Sequence, residues 1–178
     1  MTLAQPILTY PATASACALV ASVFDVRSRR IPNFLTMPAF VFGLLLHLIL
    51  GGWKQMLLAF AAGLICGVIF LVFYIAGGMG AGDVKLIMAV GCIAGFSHIA
   101  YLLALTAISG GAMALILALS RGKLKETLFN VGAIAKHHKE QGLQPHPDLN
   151  VQNNATLRLP YALAIAGGSL LTLYFQLQ

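Results

Sequence analysis

Gly77-Gly78-Met79-Gly80-Ala81-Gly82-Asp83-Val84-Lys85 puts four glycines and an acid between two apolar runs, residues 56–76 and 84–96. A carboxylate next to hydrocarbon must find water or a partner, so an ionisable residue in such a place is a functional hypothesis from the start. Glycine has no Cβ, so the backbone can bend sharply and approach other groups closely. Non-helical backbone at membrane depth survives only where protein or water covers it. The stretch reads as a hinge that delivers Asp83 into a pocket. The plainer reading is a glycine-rich turn with a helix-capping aspartate. A second acid, Asp25, expected on the same side of the membrane, favours the first.

The setting is apolar throughout. Hydrophobic residues make up 59% of the 178 positions and charged residues 9%, with a mean hydropathy of +0.86, which excludes an ordinary soluble domain. Six apolar segments stand out, at 7–24, 34–50, 56–76, 84–96, 99–119 and 159–175. Most approach the ~20 residues that a helix needs to cross a bilayer. The expectation is an all-α integral membrane protein, one domain over 1–178 with about six transmembrane helices and a cytoplasmic loop at 120–157. The fourth segment is short and would cover only about 20 Å at 1.5 Å per residue. Either it starts below the membrane surface or the glycine run supplies its missing turn.

Charge sets the orientation, because Lys and Arg concentrate in cytoplasmic loops. With the first loop inside, every basic residue except Lys54 is cytoplasmic, both termini lie outside, and Asp25, Asp83, Glu126, Glu140 and Asp148 all fall on the inner side. The net charge of +6 is therefore a topology signal; no basic patch with interleaved aromatics points to nucleic acid. Cys17, Cys66 and Cys92 sit singly within apolar segments, as packing residues and not as a disulfide framework. The first segment has no basic residue before it and reads as a retained helix, not a cleaved signal.

Asp25 leads into Val26-Arg27-Ser28-Arg29-Arg30-Ile31-Pro32-Asn33. The arginines are explained as topology anchors, but Asp25 is not. Pro32 stops one helix, and Asn33 is expected to cap the next, giving a short stiff support for a carboxylate. Pro38 is expected to kink the second span. His47 reads as a histidine bonded to a neighbouring carbonyl, and Gly51 to Lys54 as a tight outer turn. Small residues at Ala59, Gly63 and Gly67 and at Gly91 and Gly95 let helices approach closely within the chain. In the polar region, Leu124, Leu128, Val131 and Ala135 follow helical spacing beside Lys123, Lys125 and Lys136, as in an amphipathic helix on the inner leaflet; residues 141–154 read as a mobile loop. His137, His138 and His146 lack the spacing of a metal site, and no metal or cofactor is expected. Pro160 suits the first turn of the last span.

Two facing carboxylates can share one proton, because like charges a few Å apart do not both ionise cheaply. The ionised member can take a proton from water while the protonated one polarises a carbonyl, which hydrolyses an amide without metal or covalent intermediate. From helix ends alone, Asp83 at an N-terminus should ionise first and Asp25 at a C-terminus should carry the proton.

Gly80-Ala81-Gly82-Asp83 with Lys85 resembles the Gly-x-Gly-Asp motif of the type IV prepilin peptidases, and Asp25 with its arginines and Ile31-Pro32-Asn33 resembles that family's first aspartate motif. Pro160-Tyr161 extends the likeness to the last helix. The resemblance implies a multi-pass aspartic endopeptidase of the bacterial inner membrane that removes the leader of prepilins and pseudopilins on the cytoplasmic side. It implies Asp25 and Asp83 as catalytic, Gly80 and Gly82 as shaping the loop, and Pro32, Asn33 and Lys85 as support. The chain lacks the extra domain with paired Cys-x-x-Cys found in long members, so it is similar to the short form of Tad or Flp-type pili and methylation is not implied. Presenilin-like intramembrane proteases share Gly-x-Gly-Asp but carry Tyr-Asp where this chain has Phe24-Asp25. A pilus-assembly scaffold or small transporter is the non-enzymatic alternative.

Overall fold

The computed structural model of the chain describes residues 5–144 and 160–178; His146, Asp148 and Arg158, like most of the expected mobile loop, lie outside them. The described residues form helices and turns: α1 (Gln5–Ser28), α2 (Asn33–Ile75), α3 (Ala81–Ala94), a 3-10 turn (Phe96–His98), α4 (Ile99–Ser120), α5 (Leu124–Gln141) and α6 (Tyr161–Gln176). α2 covers two of the expected segments in 43 residues, with its one non-helical backbone break at Gly52 (φ 75°). A left-handed φ there suits glycine, and the break falls at this position and not at Pro38.

The contacts of α2 with α3 show what the break does. Asn33 meets Lys85, the Gly43 position meets Ile93, and His47 meets Gly95, so the first limb of α2 runs alongside α3 in the same direction. Beyond the break, Gly63 faces Cys92 and Gly67 faces Met88, so the second limb runs the other way. The two limbs are thus an antiparallel hairpin. Glycine makes this packing possible: a Cβ on Gly91 would sit 2.6 Å from Cys66 Sγ, and one on Gly63 2.9 Å from the Met88 carbonyl. The small-residue spacings are spent inside the chain, except that Gly95 (φ 82°) ends α3. α1 opposes the first limb, through Phe24–Phe34 at one end and stacked Tyr10–His47 at the other. α6 lies antiparallel to α4, with Gly110 at Ala164 and Thr106 at Gly168.

The bundle therefore has two ends. At one, Tyr10, His47, Gly51, Gly95, His98 and Gln176 border a cavity of about 490 Å³. His47 bonds the Ile93 carbonyl at 3.1 Å and His98 the Ala94 carbonyl at 2.9 Å, which satisfies carbonyls that a helix C-terminus leaves unpaired. This accounts for His47 without a metal. At the other end lie Asp25, Ile31 to Asn33, Gly80 to Lys85 and Ala162.

The outer surface stays apolar. Ile49, Ile108 and Ile116 are 78%, 64% and 66% exposed, and each such side chain forgoes roughly 1.5–3 kcal/mol if water is its neighbour. Two helical stretches, Asn33–Ile75 and Phe96–Ser120, are long and apolar enough to cross a membrane. Lipid is the solvent that this skin fits.

Candidate active site

Local sequence decides how each carboxylate is held. The second limb of α2 ends where Gly77 adopts φ 77°; Gly77 N–H donates to the Tyr74 carbonyl and Gly78 N–H to the Phe73 carbonyl, at 3.0 and 2.9 Å. This left-handed glycine stop turns the chain into Gly78, Met79 and Gly80. α3 then starts at Ala81, so the end of the glycine run supplies the turn that the short fourth segment lacked. Gly80 stands at the N-cap. Its N–H donates to Asp83 Oδ2 at 3.1 Å, and Asp83 N–H donates back to the Gly80 carbonyl at 3.1 Å. Asp83 is thus a half-buried capping aspartate, as the plainer reading of the glycine-rich turn expected.

Asp25 lies in the last turn of α1. Arg29 N–H closes that end onto the Asp25 carbonyl at 2.8 Å, with Arg29 itself at φ 51°. The carboxylate is held from across the bundle: Ala162 N–H, in the first turn of α6, donates to Asp25 Oδ2 at 3.3 Å. Pro160 precedes that turn as N-cap, one place before the first-turn position expected of it. The first N–H groups of a helix have no partner within it, and one of them is spent here on a carboxylate. Sequence reasoning missed Ala162, since a backbone amide has no side-chain signature; a proline opening α6 was the available signal that free amides follow it.

The connection between α1 and α2 supports the site. A Cβ on Gly82 would lie 3.2 Å from Ile31 Cβ, so glycine at 82 lets α3 approach the link between α1 and α2. Asn33 was expected to cap α2. Instead Pro32 stands at the N-cap without a side-chain bond, its carbonyl accepting from Leu35 and Thr36 at 3.1 and 3.4 Å. The Asn33 Oδ1 is left free for Lys85 Nζ, which donates to it at 2.9 Å, tying the first turn of α2 to the first turn of α3. Lys85 makes no ion pair with either aspartate among the described residues. Tyr161, next to Ala162, packs edge-on to Phe70 at 6.1 Å, which fixes α6 against the second limb of α2.

Both carboxyls flank the apolar spans, Asp25 following residue 24 and Asp83 preceding residue 84. Burial pushes Asp83 up to about 6, against the lowering effect of its bond from Gly80, and the charge of Asp25 raises it further. Burial also raises Asp25, which the Ala162 amide partly offsets. Asp83 is therefore the member that holds a proton longer, the reverse of the order expected from helix ends. A helix terminus contributes typically 0.3–1 kcal/mol at a surface, less than the desolvation that burial imposes on Asp83. Both carboxyls are thus raised by burial, Asp83 the more strongly, and the charge of Asp25 adds to the shift of Asp83. Among the described residues no three His, Cys, Asp or Glu side chains group to hold a metal ion.

Comparison with known proteins gives one match: the profile of the type IV leader peptidase family covers residues 12–115, from α1 into α4. No curated protein matches the chain, and no solved structure does.

Proposed function

The chain belongs to the type IV leader peptidase family, and from that membership we propose that it is an aspartic endopeptidase which removes the leader of Tad or Flp-type prepilins at the cytoplasmic face of the bacterial inner membrane, with Asp25 and Asp83 as its catalytic pair. The observation that carries the reading is that two carboxyls 58 positions apart in sequence lie at one end of the bundle, each on a backbone N–H, with the charge of Asp25 raising Asp83. In this reading the chain crosses the bilayer six times, with Gly52 at the outer turn of the α2 hairpin, and the Gly77 to Gly82 hinge adjusts Asp83 against Asp25.

The chemistry follows from the charge state. Protonated Asp83 donates a hydrogen bond to the scissile carbonyl and makes its carbon electrophilic. Ionised Asp25, steadied by Ala162 N–H, takes a proton from water as the water oxygen bonds to that carbon. Collapse of the tetrahedral intermediate breaks the C–N bond, and the proton goes to the departing amine. A prepilin whose apolar helix lies in the same bilayer arrives already oriented, which supplies part of the proximity that a two-reactant step otherwise lacks.

Two outcomes follow. Coexpressed with the prepilins of its own cell, the wild-type protein should shorten at least one by its leader, seen as a mass change with a new N-terminus; a correctly inserted protein that shortens none of them overturns the proposal. The pH profile should fall on its alkaline side as Asp83 loses its proton. The limb of kcat/KM, which reports free enzyme, should lie near pH 6. The limb of kcat should lie higher, because bound substrate excludes water and favours the uncharged acid. A kcat/KM that is flat between pH 5 and 8 (~three decades of proton activity) would contradict a proton-holding Asp83.

A further inference from the structure

α5 is the one helix that the catalytic reading leaves without a task, and none of its residues is buried. At about 100° per residue, Leu124, Thr127, Asn130, Ile134, His137 and His138 share one face, and all six are half-buried. The flank of the helix next to this face is open. Leu128 and Val131 are 63% and 59% exposed, with Ala135 exposed between them, so most of the apolar stripe read in the sequence has no protein cover. Beside this stripe runs a basic one of Lys125, Lys136 and Lys139, all exposed, with Phe129 beyond it. The two acids of α5 are engaged by Lys123 at 3.2 Å and Lys136 at 3.9 Å, leaving Lys125 and Lys139 with no carboxylate partner among the described residues.

The position of this surface narrows what can cover it. α4 is a 22-residue apolar helix within one of the stretches able to cross a membrane. It stops at Ser120, and Gly122 (φ 63°) turns the chain directly into α5, closed by Gly122 N–H to the Leu119 carbonyl and Lys123 N–H to the Ala118 carbonyl at 3.0 and 2.9 Å. α5 thus begins where the hydrocarbon-facing part of α4 ends, at the level of lipid headgroups. An apolar stripe beside long basic side chains suits that boundary, because lysine stems lie along apolar surface while the ammonium reaches outward. Anionic headgroups complement the unpaired lysines.

We propose that α5 is an interfacial helix seated on the inner leaflet, with Leu128, Val131 and Ala135 in the acyl boundary and Lys125 and Lys139 on anionic phosphodiester headgroups. Its test needs no peptidase activity. Trp53 is the sole tryptophan, so Leu128→Trp in a Trp53→Phe background gives a single reporter in the full chain, reconstituted in vesicles of neutral phosphatidylcholine or of that lipid with phosphatidylglycerol. Seating should give blue-shifted emission, quenching by brominated acyl chains and protection from iodide in the anionic vesicles. Lys125→Gln with Lys139→Gln should lower the seated-to-free ratio on the order of tenfold or more, at roughly 1 kcal/mol per basic residue. Inorganic phosphate or glycerol phosphate added to neutral vesicles should not reproduce the shift. Should Leu128→Trp disturb the helix by circular dichroism, Val131→Trp reports on the same stripe. Water-like, iodide-quenched emission from a folded reporter in anionic vesicles would overturn the proposal, as would protection that appears only with added RNA or a soluble protein.

Discussion

Asp83→Asn is expected to give a protein that no longer cleaves prepilin and yet withstands heat better than wild type at pH 8. The loss follows from the proposed role: asparagine cannot pass through the ionised and protonated states, and removing a general acid or base costs roughly 10²–10⁴-fold in rate. The gain follows from burial. The Asp83 carboxyl is held at about 6 in the native protein but near 4 in an unfolded chain. Between those values the native state binds more protons than the unfolded one, so stability falls as pH rises across the window. Below about pH 4 Asp83 is neutral in both states and there is no penalty; above about 6 the penalty is complete, at most about 3 kcal/mol for two pKa units. Asparagine keeps a side-chain oxygen for the Gly80 amide and carries no charge to desolvate. Thermal unfolding of both proteins in one detergent should show Asp83→Asn ahead at pH 8 and level with wild type at pH 4. Equal stability at both values would mean that water reaches Asp83 freely, and the proton-holding role would go with it. Asp25→Asn should abolish cleavage too, with a smaller stability change, because Asp25 is less deeply desolvated.

The second large effect is expected far from either carboxyl. A Cβ on Gly168 would lie 2.5 Å from Thr106 N and 2.6 Å from Thr106 Cα. These are backbone atoms within a helix and cannot swing aside as a side-chain tip can. Gly168→Ala must therefore push α6 off α4, at about 1–3 kcal/mol for overpacking or about 2–12 °C in Tm for a chain of this size. Gly111→Ala is the matched control, since its Cβ would meet nothing within 4 Å and alanine outranks glycine in a helix by ~1 kcal/mol. The control should unfold no earlier than wild type. If Gly168→Ala does likewise, the α4–α6 packing described here is wrong. Activity should fall with it, because α6 carries the amide that holds Asp25.

What could be read in the sequence was carried by side chains with unusual costs. An acid among glycines beside hydrocarbon, and another directly after an apolar run, were conspicuous because burying a carboxylate is expensive. The positions of the helices were plain for the same reason. Errors arose where two groups could do one job. Asn33 is a good cap, but Pro32 took the N-cap and the amide of Asn33 went to Lys85, a partner 52 positions away that no local rule supplies. Helix ends gave an order of ionisation for the aspartates; burial outweighed it, and burial depends on the packing of the whole chain. The bond from Ala162 to Asp25 was invisible, since any residue but proline offers the same amide.

That last bond spans 137 positions, and its consequence lies in biosynthesis. Ribosomes add about 5–20 residues per second, so a nascent chain that already carries Asp25 waits on the order of ten seconds before the amide that bonds it exists. From the synthesis of Asp83 until that of Ala162 the growing polypeptide holds both acids without that bond, and products truncated before α6 lack it altogether. Asp25 is therefore made well before the amide that its carboxylate accepts from, and only a chain that carries α6 can close that bond.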